Sequence, residues 1–425
     1  MKKSHCQCRW LPLFFATLLV SPLNSPSAAY VGIGGGVGVW IKGRLGTPEP
    51  PPPPPLDPST SSADATAYSA LQAWKSAITE DPSGILTTWV GPNICSYKGI
   101  FCSYPPPDDE SQAISSTSPA VLAIDLNHAN LSGTLAKELS LLTRLSILHL
   151  NSNRFTGTIP DSFQSLQYLS ELDLSNNLLS GPFPSAALDV PNLIYLDLRF
   201  NSFSGEIPEE LFEKSLDAVF LNNNQFKGEI PMSLWTSSAS VINLANNKLS
   251  GSMPVSFGYT GSNVKEILFL NNKLTGCIPE AVGYLNDLQV LDLSFNSLTG
   301  PLPNSISCLS GIEVLNLGHN QLSGELSDLI CDLRRLANLT VAYNFFSGFD
   351  QDCTKLFFGR NVGFDFSGNC IPGRDMQRPP PQCNGVPSGG LSCLRIPAPG
   401  AVACAAARIK GMPYPLPNSL TGSLP

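Results

Sequence analysis

The chain has 425 residues, of which 42% are hydrophobic and 14% charged, and its net charge at neutral pH is −8. This composition supports a sizeable buried core and excludes an intrinsically disordered chain. The negative charge argues against a general nucleic-acid-binding function, because phosphates would be repelled, and it favours a cationic partner.

Residues 1–29 are typical of a secretory signal peptide. Basic residues precede an apolar run over 10–20, which is too short to span a bilayer. Ser27 and Ala29 provide the small side chains that favour cleavage after position 29. No later stretch approaches twenty apolar residues, so we expect a secreted chain without a membrane span.

Residues 30–62 form a predicted tether, because a glycine-rich segment is followed by six consecutive prolines that favour a polyproline II spacer. Residues 63–117 are predicted to form a helical N-terminal cap. Cys95 and Cys102 lie seven residues apart, which favours a local disulfide in a secreted chain. Five residues of this cap recur at helical spacing: Tyr68, Leu71, Trp74, Lys75 and Ile78.

Residues 118–370 repeat the pattern L-x-L-x-x-N-x-L-x-G-x-[IL]-P about eleven times. The alternating leucines predict a short strand with both leucines facing the core. The asparagine is predicted to point inward and to satisfy backbone groups of its own and the neighbouring turn. The first turn has Ala129 at this position. The predicted ladder contains Asn153, Asn177, Asn201, Asn224, Asn247, Asn272, Asn296, Asn320, Asn344 and Asn369.

One repeat is too small to bury its own core, so the repeats should stack into an α/β solenoid. The pattern resembles leucine-rich repeats, and the G-x-[IL]-P half resembles their plant extracellular subtype. We therefore predict a plant-type leucine-rich-repeat solenoid of about 11 turns. Residues 371–425 are predicted to form a cysteine-rich C-terminal tail that caps the last turn.

The sequence shows no pattern of an active site, so we expect no enzymatic activity, no cofactor and no metal. His128, His149 and His319 lie on separate turns, and a catalytic pair needs a base within reach of its nucleophile. His149 shares a strand column with Asp125 and Asp173, and we expect these polar side chains to be solvated. The dispersed cysteines lack metal-ligand spacing.

The concave face of the predicted sheet is the candidate binding surface. Its outward positions combine acidic side chains, which would attract a basic ligand, with exposed aromatic side chains, which are typical binding hot spots. The alternative is that the aspartates only keep the sheet soluble. The candidate peptide-binding residues are Asp173, Tyr195, Asp197, Phe200, Phe220, Asp292, Phe295, His319 and Tyr343.

Two sequons, at Asn130 and Asn338, are candidate glycosylation sites. Cys331 and Cys353 lie in outer segments of adjacent turns and could form a disulfide, with Cys308 as the rival partner of Cys331. Cys277 has no evident partner. The last four cysteines are predicted to pair among themselves: Cys370, Cys383, Cys393 and Cys404.

Three segments resemble plant leucine-rich-repeat extensins over roughly residues 64–404. They are the cap ALQAWKSAITEDPSGILTTWVGPNICSYKGIFC, the late repeats TGCIP and LICDLRRLANLTVAYNFFSG, and the tail NCIPGRDMQRPPPQC. The resemblance implies a homodimeric cell-wall receptor for small, basic, cysteine-containing rapid-alkalinisation peptides. The 425 residues contain no Ser-Pro-Pro, the motif typical of the extensin half.

Two other functions remain open from the sequence. The chain could inhibit a secreted wall-degrading enzyme, because polygalacturonase-inhibiting proteins are similar in solenoid and repeat subtype. It could also be a structural wall protein that uses its proline-rich tether and tail, with cell-wall polysaccharide as its partner. The predicted location in either case is the apoplast or cell wall.

Overall fold

The computed structural model describes residues 62–104, 119–254, 263–349 and 362–385, together with Cys353, Leu356 and Cys393. The predicted signal peptide, most of the predicted tether and Cys404 lie outside these residues. The domain boundaries proposed from the sequence remain predictions.

A long sheet runs through the described residues and contains twelve strands. The first strand pairs antiparallel with the second, and the other eleven run parallel, one from each turn. This agrees with the predicted solenoid of about 11 turns. The strands are β2 (Ile100–Ser103), β3 (Ala120–Asp125), β5 (Ile147–His149), β7 (Glu171–Asp173), β9 (Tyr195–Asp197), β11 (Ala218–Phe220), β13 (Val241–Asn243), β15 (Glu266–Leu268), β17 (Val290–Asp292), β19 (Val314–Asn316), β21 (Asn338–Thr340) and β23 (Gly363–Asp365).

A second set of strands forms a seven-stranded and a four-stranded sheet within the described residues, and most of these strands follow a ladder asparagine. The first contains β1 (Ile78–Glu80), β4 (Ser132–Thr134), β6 (Arg154–Gly157), β8 (Leu178–Gly181), β10 (Ser202–Gly205), β12 (Gln225–Gly228) and β14 (Lys248–Leu249). The second contains β16 (Thr275–Gly276), β18 (Ser297–Gly300), β20 (Gln321–Leu326) and β22 (Phe345–Phe349).

Helical segments connect most strands of these two sheets to the next strand of the long sheet. The proline that ends the repeat motif directly precedes several of these helical segments. Its fixed φ suits the extended backbone that leads into the helix. The α-helices are α1 (Ser62–Ala77), α2 (Ala186–Asp189), α3 (Glu210–Glu213), α4 (Asp328–Cys331) and α5 (Pro380–Cys383). The 3-10 helices are Ile85–Thr88, Ile94–Ser96, Lys137–Leu141, Asp161–Ser165, Met232–Thr236, Glu280–Tyr284 and Asn304–Cys308.

The N-terminal cap closes the open end of the core, as predicted. Trp74 of α1 is fully buried, and its ring lies 5.8 Å from Trp89 and 5.9 Å from Phe155 of the repeats. Ile78 was expected to continue the helix, and this is wrong. Ile78 begins β1 and pairs with Gly133, because the backbone there adds an antiparallel strand to the edge of the seven-stranded sheet.

The predicted asparagine ladder is confirmed. Asn320 shows the pattern: its side-chain amide donates to the carbonyl oxygens of Leu293 in the preceding turn (2.9 Å) and Leu317 in its own turn (3.2 Å). Its amide oxygen accepts the backbone N–H of Leu298 (3.0 Å). Each inward asparagine therefore satisfies buried backbone groups that would otherwise carry a desolvation cost.

Two predicted disulfides are confirmed. Cys95 bonds to Cys102 across seven residues in the cap, and Cys331 bonds to Cys353 in the next turn. Cys308 is also disulfide-bonded, so it is not the partner of Cys331.

The predicted pairing of the last cysteines is only partly correct. Cys370 bonds to Cys383, but Cys393 bonds to Cys277 of the repeats, 116 residues earlier. The expectation that the last four cysteines pair only among themselves is therefore wrong, and Cys277 does have a partner. The physical reason is that Cys393 reaches the outer edge of the earlier turns, where its Sγ lies 3.8 Å from the Thr299 carbonyl oxygen.

The start of the tail seals the last turn. Asn369 is the last ladder asparagine, and its amide donates to the carbonyl oxygen of Val341 (3.0 Å). The Arg378 backbone N–H donates to the Asn369 carbonyl oxygen (2.7 Å), and the Arg378 guanidinium donates to that of Asn344 (2.9 Å). These bonds occupy carbonyl groups that would otherwise be left at the open end of the solenoid.

Candidate functional site

The outward surface of the long sheet, here called the sheet face, carries one aligned central column of side chains. The parallel register pairs the last residue of each strand of the long sheet with the last residue of the strand in the next turn. The alignment inferred from the repeat spacing is confirmed. The column contains Asp125, His149, Asp173, Asp197, Phe220, Asn243, Leu268, Asp292, Asn316, Thr340 and Asp365.

An ion pair lies in the N-terminal part of the sheet face. Nε2 of His149 lies 3.0 Å from Oε2 of Glu171, whose side chain is nearly buried. Burial alone would lower the pKa of His149, but the hydrogen bond to Glu171 and the negative charge of Asp173 outweigh it and raise the pKa above 6.5. The expectation of a solvated side chain is wrong for His149, because it is 12% exposed and paired with Glu171.

Asp197 is fully buried beside its own turn's arginine. Nε of Arg199 donates to its carboxylate (3.0 Å), and the hydroxyl of Tyr195 lies 3.3 Å from the same oxygen. Arg199 also lies over the ring of Phe220, 5.1 Å from the centroid. Burial, together with the charge of Asp173, raises the pKa of Asp197 to about 8 in spite of Arg199.

The exposure expected for Asp197 and Phe220 is therefore wrong. Phe220 is 4% exposed and forms a small apolar cluster with Ala218, Val241 and the partly buried Tyr195. The cause is local, because Arg199 contacts both the carboxylate and the Phe220 ring. Neither residue is free to bind a ligand in this arrangement.

Two other aspartates of the column are held by their own turns. Asp173 accepts hydrogen bonds from the backbone N–H (2.9 Å) and hydroxyl (2.6 Å) of Ser175, and Asp292 accepts the equivalent pair from Ser294. Asn316 donates to the second oxygen of Asp292 (3.0 Å), while burial raises the pKa of Asp292. Both carboxylates remain partly accessible.

The residues directly before the ladder asparagines form a second column, here called the rim. Nine of them, from Ser152 to Tyr343, have φ between 52° and 58°, and Gly368 continues the series at 63°. This left-handed conformation favours glycine and asparagine. The nine are Ser152, Asn176, Phe200, Asn223, Asn246, Asn271, Phe295, His319 and Tyr343.

Three consecutive rim side chains form an aromatic stack. The ring centroids of Phe295 and His319 lie 4.1 Å apart, and those of His319 and Tyr343 lie 4.3 Å apart, with interplanar angles of 12° and 15°. Phe295 is 50% and Tyr343 49% exposed. Burial and the charge of Arg378 lower the pKa of His319. The stack brings together three of the nine candidate residues, and Tyr195, Asp197 and Phe220 form a second group on earlier turns. Phe200 lies outside the stack and is not part of the binding surface proposed below.

Sequence reasoning missed Arg199 and the His149–Glu171 pair as features of the sheet face. Arg199 follows Asp197 by two residues, a spacing that could have signalled a contact within one turn. Both predicted glycosylation sites are exposed, and Asn338 is the first residue of β21 on the sheet face. Their modification remains a prediction.

The described residues contain no group of three or more histidine, cysteine, aspartate or glutamate side chains that could hold a metal ion. Among the same residues, no helix has the length and hydrophobicity needed to cross a membrane.

Comparison with known proteins agrees with this architecture. The leucine rich repeat family matches residues 143–203 and 262–322, and the leucine rich repeat N-terminal domain matches residues 64–103. Leucine-rich repeat extensin-like protein 2 of Arabidopsis thaliana is 49% identical over 344 residues, which cover 80% of this chain and 43% of that protein. The chain is a plant leucine-rich-repeat protein related to the extensin-like proteins. It spans less than half the length of these relatives.

Solved structures share the solenoid. The ectodomain of the Arabidopsis thaliana membrane receptor kinase GASSHO1/SCHENGEN3, solved with CASPARIAN STRIP INTEGRITY FACTOR 2, is 25% identical with a TM-score of 0.59, covering 72% of this chain and 41% of that one. A plant ice-binding protein is 26% identical with a TM-score of 0.58, covering 72% and 97%. A peptide-bound receptor ectodomain and an ice-binding protein share this fold, so the fold does not define the function. The function depends on the side chains of the sheet face and rim.

Proposed function

We propose that the chain is an extracellular, non-enzymatic protein that binds a small, basic, cysteine-containing secreted peptide of the rapid-alkalinisation type. Binding would modulate cell-wall integrity or growth. The observation that carries the proposal is the exposed aromatic stack of Phe295, His319 and Tyr343, which lies beside partly accessible carboxylates on a rigid parallel sheet.

The C-terminal half of the sheet face has the composition of a peptide-binding surface. Phe295 and Tyr343 keep half of their surface exposed, although aromatic rings gain nothing from contact with water. Asp292 precedes Phe295 by three residues, and Asp365 on the last strand is exposed. Aromatic anchors supply contact energy, and nearby carboxylates favour association with a basic partner.

Known relatives support a ligand-binding role for this fold. The receptor-kinase ectodomain described above was solved in complex with CASPARIAN STRIP INTEGRITY FACTOR 2. The extensin-like relatives favour a location in the cell wall, and four disulfides in the described residues suit an oxidising compartment. A homodimer and contact with wall polysaccharide are further parts of the proposal, drawn from the resemblance.

Calorimetric titration of the purified secreted protein with folded, disulfide-bonded rapid-alkalinisation peptides tests the proposal. We expect a dissociation constant below about 10 µM, which corresponds to about −7 kcal/mol. Binding should weaken with added salt, because the partner charges are close to the surface. Absence of binding up to that concentration would overturn the proposal, and inhibition of a pectinase in a parallel assay would favour the enzyme-inhibitor alternative instead.

A further inference from the structure

The three rings of the aromatic stack occupy positions where the backbone disfavours them. Phe295, His319 and Tyr343 have φ of 54°, 54° and 56°, whereas four other rim positions carry asparagine. A non-glycine residue in this region is strained, and asparagine is among the residues that tolerate it best. Local backbone preference therefore argues for asparagine at all three positions.

Stacking between the rings does not stabilise the fold enough to explain why these positions are aromatic. The stack has two ring–ring contacts, and an aromatic pair adds only a small stabilisation beyond burial. Three strained residues cost at least as much as two such contacts return. Half of the surface of Phe295 and Tyr343 also stays in water, so burial contributes little more. Folding stability alone does not account for the stack.

The stack is completed at its C-terminal end by a glycine. A Cβ on Gly368 would lie 2.8 Å from Cδ1 of Tyr343, so the Tyr343 ring packs directly over this backbone position. One face of Tyr343 thus lies against Gly368 and the other against His319. Both faces of His319 are covered by its neighbours. The exposed surface of these two side chains is consequently made of ring edges.

Ring edges and ring faces attract different partners. The face of an aromatic ring is negative and binds cations, whereas its edge is positive and packs against the face of another ring. A lysine or arginine side chain needs an open face, which His319 and Tyr343 do not offer. An aromatic side chain can lie across the edges in an edge-to-face arrangement, with ring centroids about 4.5–7 Å apart.

We propose that the aromatic stack of Phe295, His319 and Tyr343 binds an aromatic side chain of the peptide ligand, while its basic side chains contact the carboxylates of the sheet face. This inference rests on the proposed peptide-binding function and deepens it. Asp292 precedes Phe295 by three residues, and Asp365 is exposed in the last turn of the sheet face. Because these carboxylates are negative, we expect the aromatic residue to belong to a basic peptide. The ligand is thereby defined by two features, an aromatic residue and neighbouring positive charge.

The chain offers matched variants that should fold. The triple variant Phe295→Asn, His319→Asn and Tyr343→Asn installs the residue that four sibling positions already carry, so its unfolding temperature should equal or exceed that of the native chain. Phe200→Asn is the control, because Phe200 occupies the same backbone position and is 48% exposed but lies outside the stack.

The experiment is saturation-transfer NMR on the full secreted chain with two probes, N-acetyl-L-tyrosinamide and N-acetyl-L-argininamide. We expect saturation of the tyrosinamide ring, a loss of at least fivefold in the triple variant and no change in Phe200→Asn. The ring C–H signals of His319 in the native chain should shift on tyrosinamide addition, which tests the site without any variant. Equal or stronger saturation of argininamide, an unaffected triple variant, or no tyrosinamide contact would each overturn the inference.

This result is separable from the test of the proposed function. If a basic peptide binds in calorimetry and replacing its aromatic residues by leucine leaves the affinity unchanged, peptide binding stands and the aromatic subsite is wrong. If tyrosinamide contacts the stack but no basic peptide binds, the subsite stands and the proposed ligand class is wrong.

Discussion

Single residues in this chain divide into those that close the solenoid and those that face outward from it. Asn320 and its equivalents bind backbone groups of two turns at once, so one side chain links consecutive repeats. The residue directly before each ladder asparagine takes a left-handed backbone conformation and presents its side chain at the rim. In each turn, the residue that binds the backbone and the residue that faces solvent are therefore adjacent in sequence.

His149 provides a residue-scale prediction about pH. Its folded pKa is raised above 6.5, so the ion pair with Glu171 contributes fully below about pH 6.5 and is lost as the pH rises through the folded pKa. His149→Gln keeps a hydrogen-bond donor but removes the titratable charge. We expect the native chain to exceed this variant by about 1 kcal/mol in free energy of unfolding at pH 5.5, and the difference to be smaller at pH 8.

Denaturant unfolding of both proteins at the two pH values measures this difference. His128→Gln, at an exposed position in the first turn, is the matched histidine-to-glutamine control. A difference between native chain and His149→Gln that grows with rising pH would contradict the assignment.

At the scale of elements, the Cys277–Cys393 disulfide ties the tail to the repeats. It closes 116 residues, against seven for Cys95–Cys102. Because a longer loop loses more entropy in the unfolded chain, the double variant Cys277→Ser and Cys393→Ser should lose roughly 4 kcal/mol of stability, and Cys95→Ser with Cys102→Ser roughly 2–3 kcal/mol. Denaturant unfolding compares the two variants.

A non-reducing peptide map provides the covalent check on the same prediction. It should recover one linked pair of peptides containing Cys277 and Cys393, and another containing Cys370 and Cys383. Recovery of Cys393 linked to Cys383 or Cys370 would contradict this connectivity.

The elements differ in how far the sequence predicted them. The asparagine ladder was predictable because the side chain bonds to backbone groups fixed by the repeat itself, so spacing carried the information. The Cys277–Cys393 bond was not, because the path of the tail has no period. The burial of Asp197 was also missed, since it depends on Arg199 contacting both this carboxylate and Phe220 in the next turn.

For the whole molecule, the sheet face is not the uniform acidic stripe that the sequence suggested. Glu171 and Asp197 are buried against cationic partners in its N-terminal half. In the C-terminal half, Asp292 is partly accessible, Asp365 is exposed, and the rings of the aromatic stack are exposed. We therefore expect ligand binding at the last four strands of the sheet, from β17 to β23.

The most direct test of this central claim is a calorimetric comparison of the native chain with the double variant Asp292→Asn and Phe295→Asn. Both substitutions should preserve the fold. Asparagine tolerates the left-handed backbone at Phe295, and Asn316 already occupies the position equivalent to Asp292 in the next turn. We expect at least tenfold weaker binding of a folded basic peptide to the double variant and unchanged binding to Phe200→Asn. An unchanged affinity in the double variant would contradict it and move the binding site to another surface.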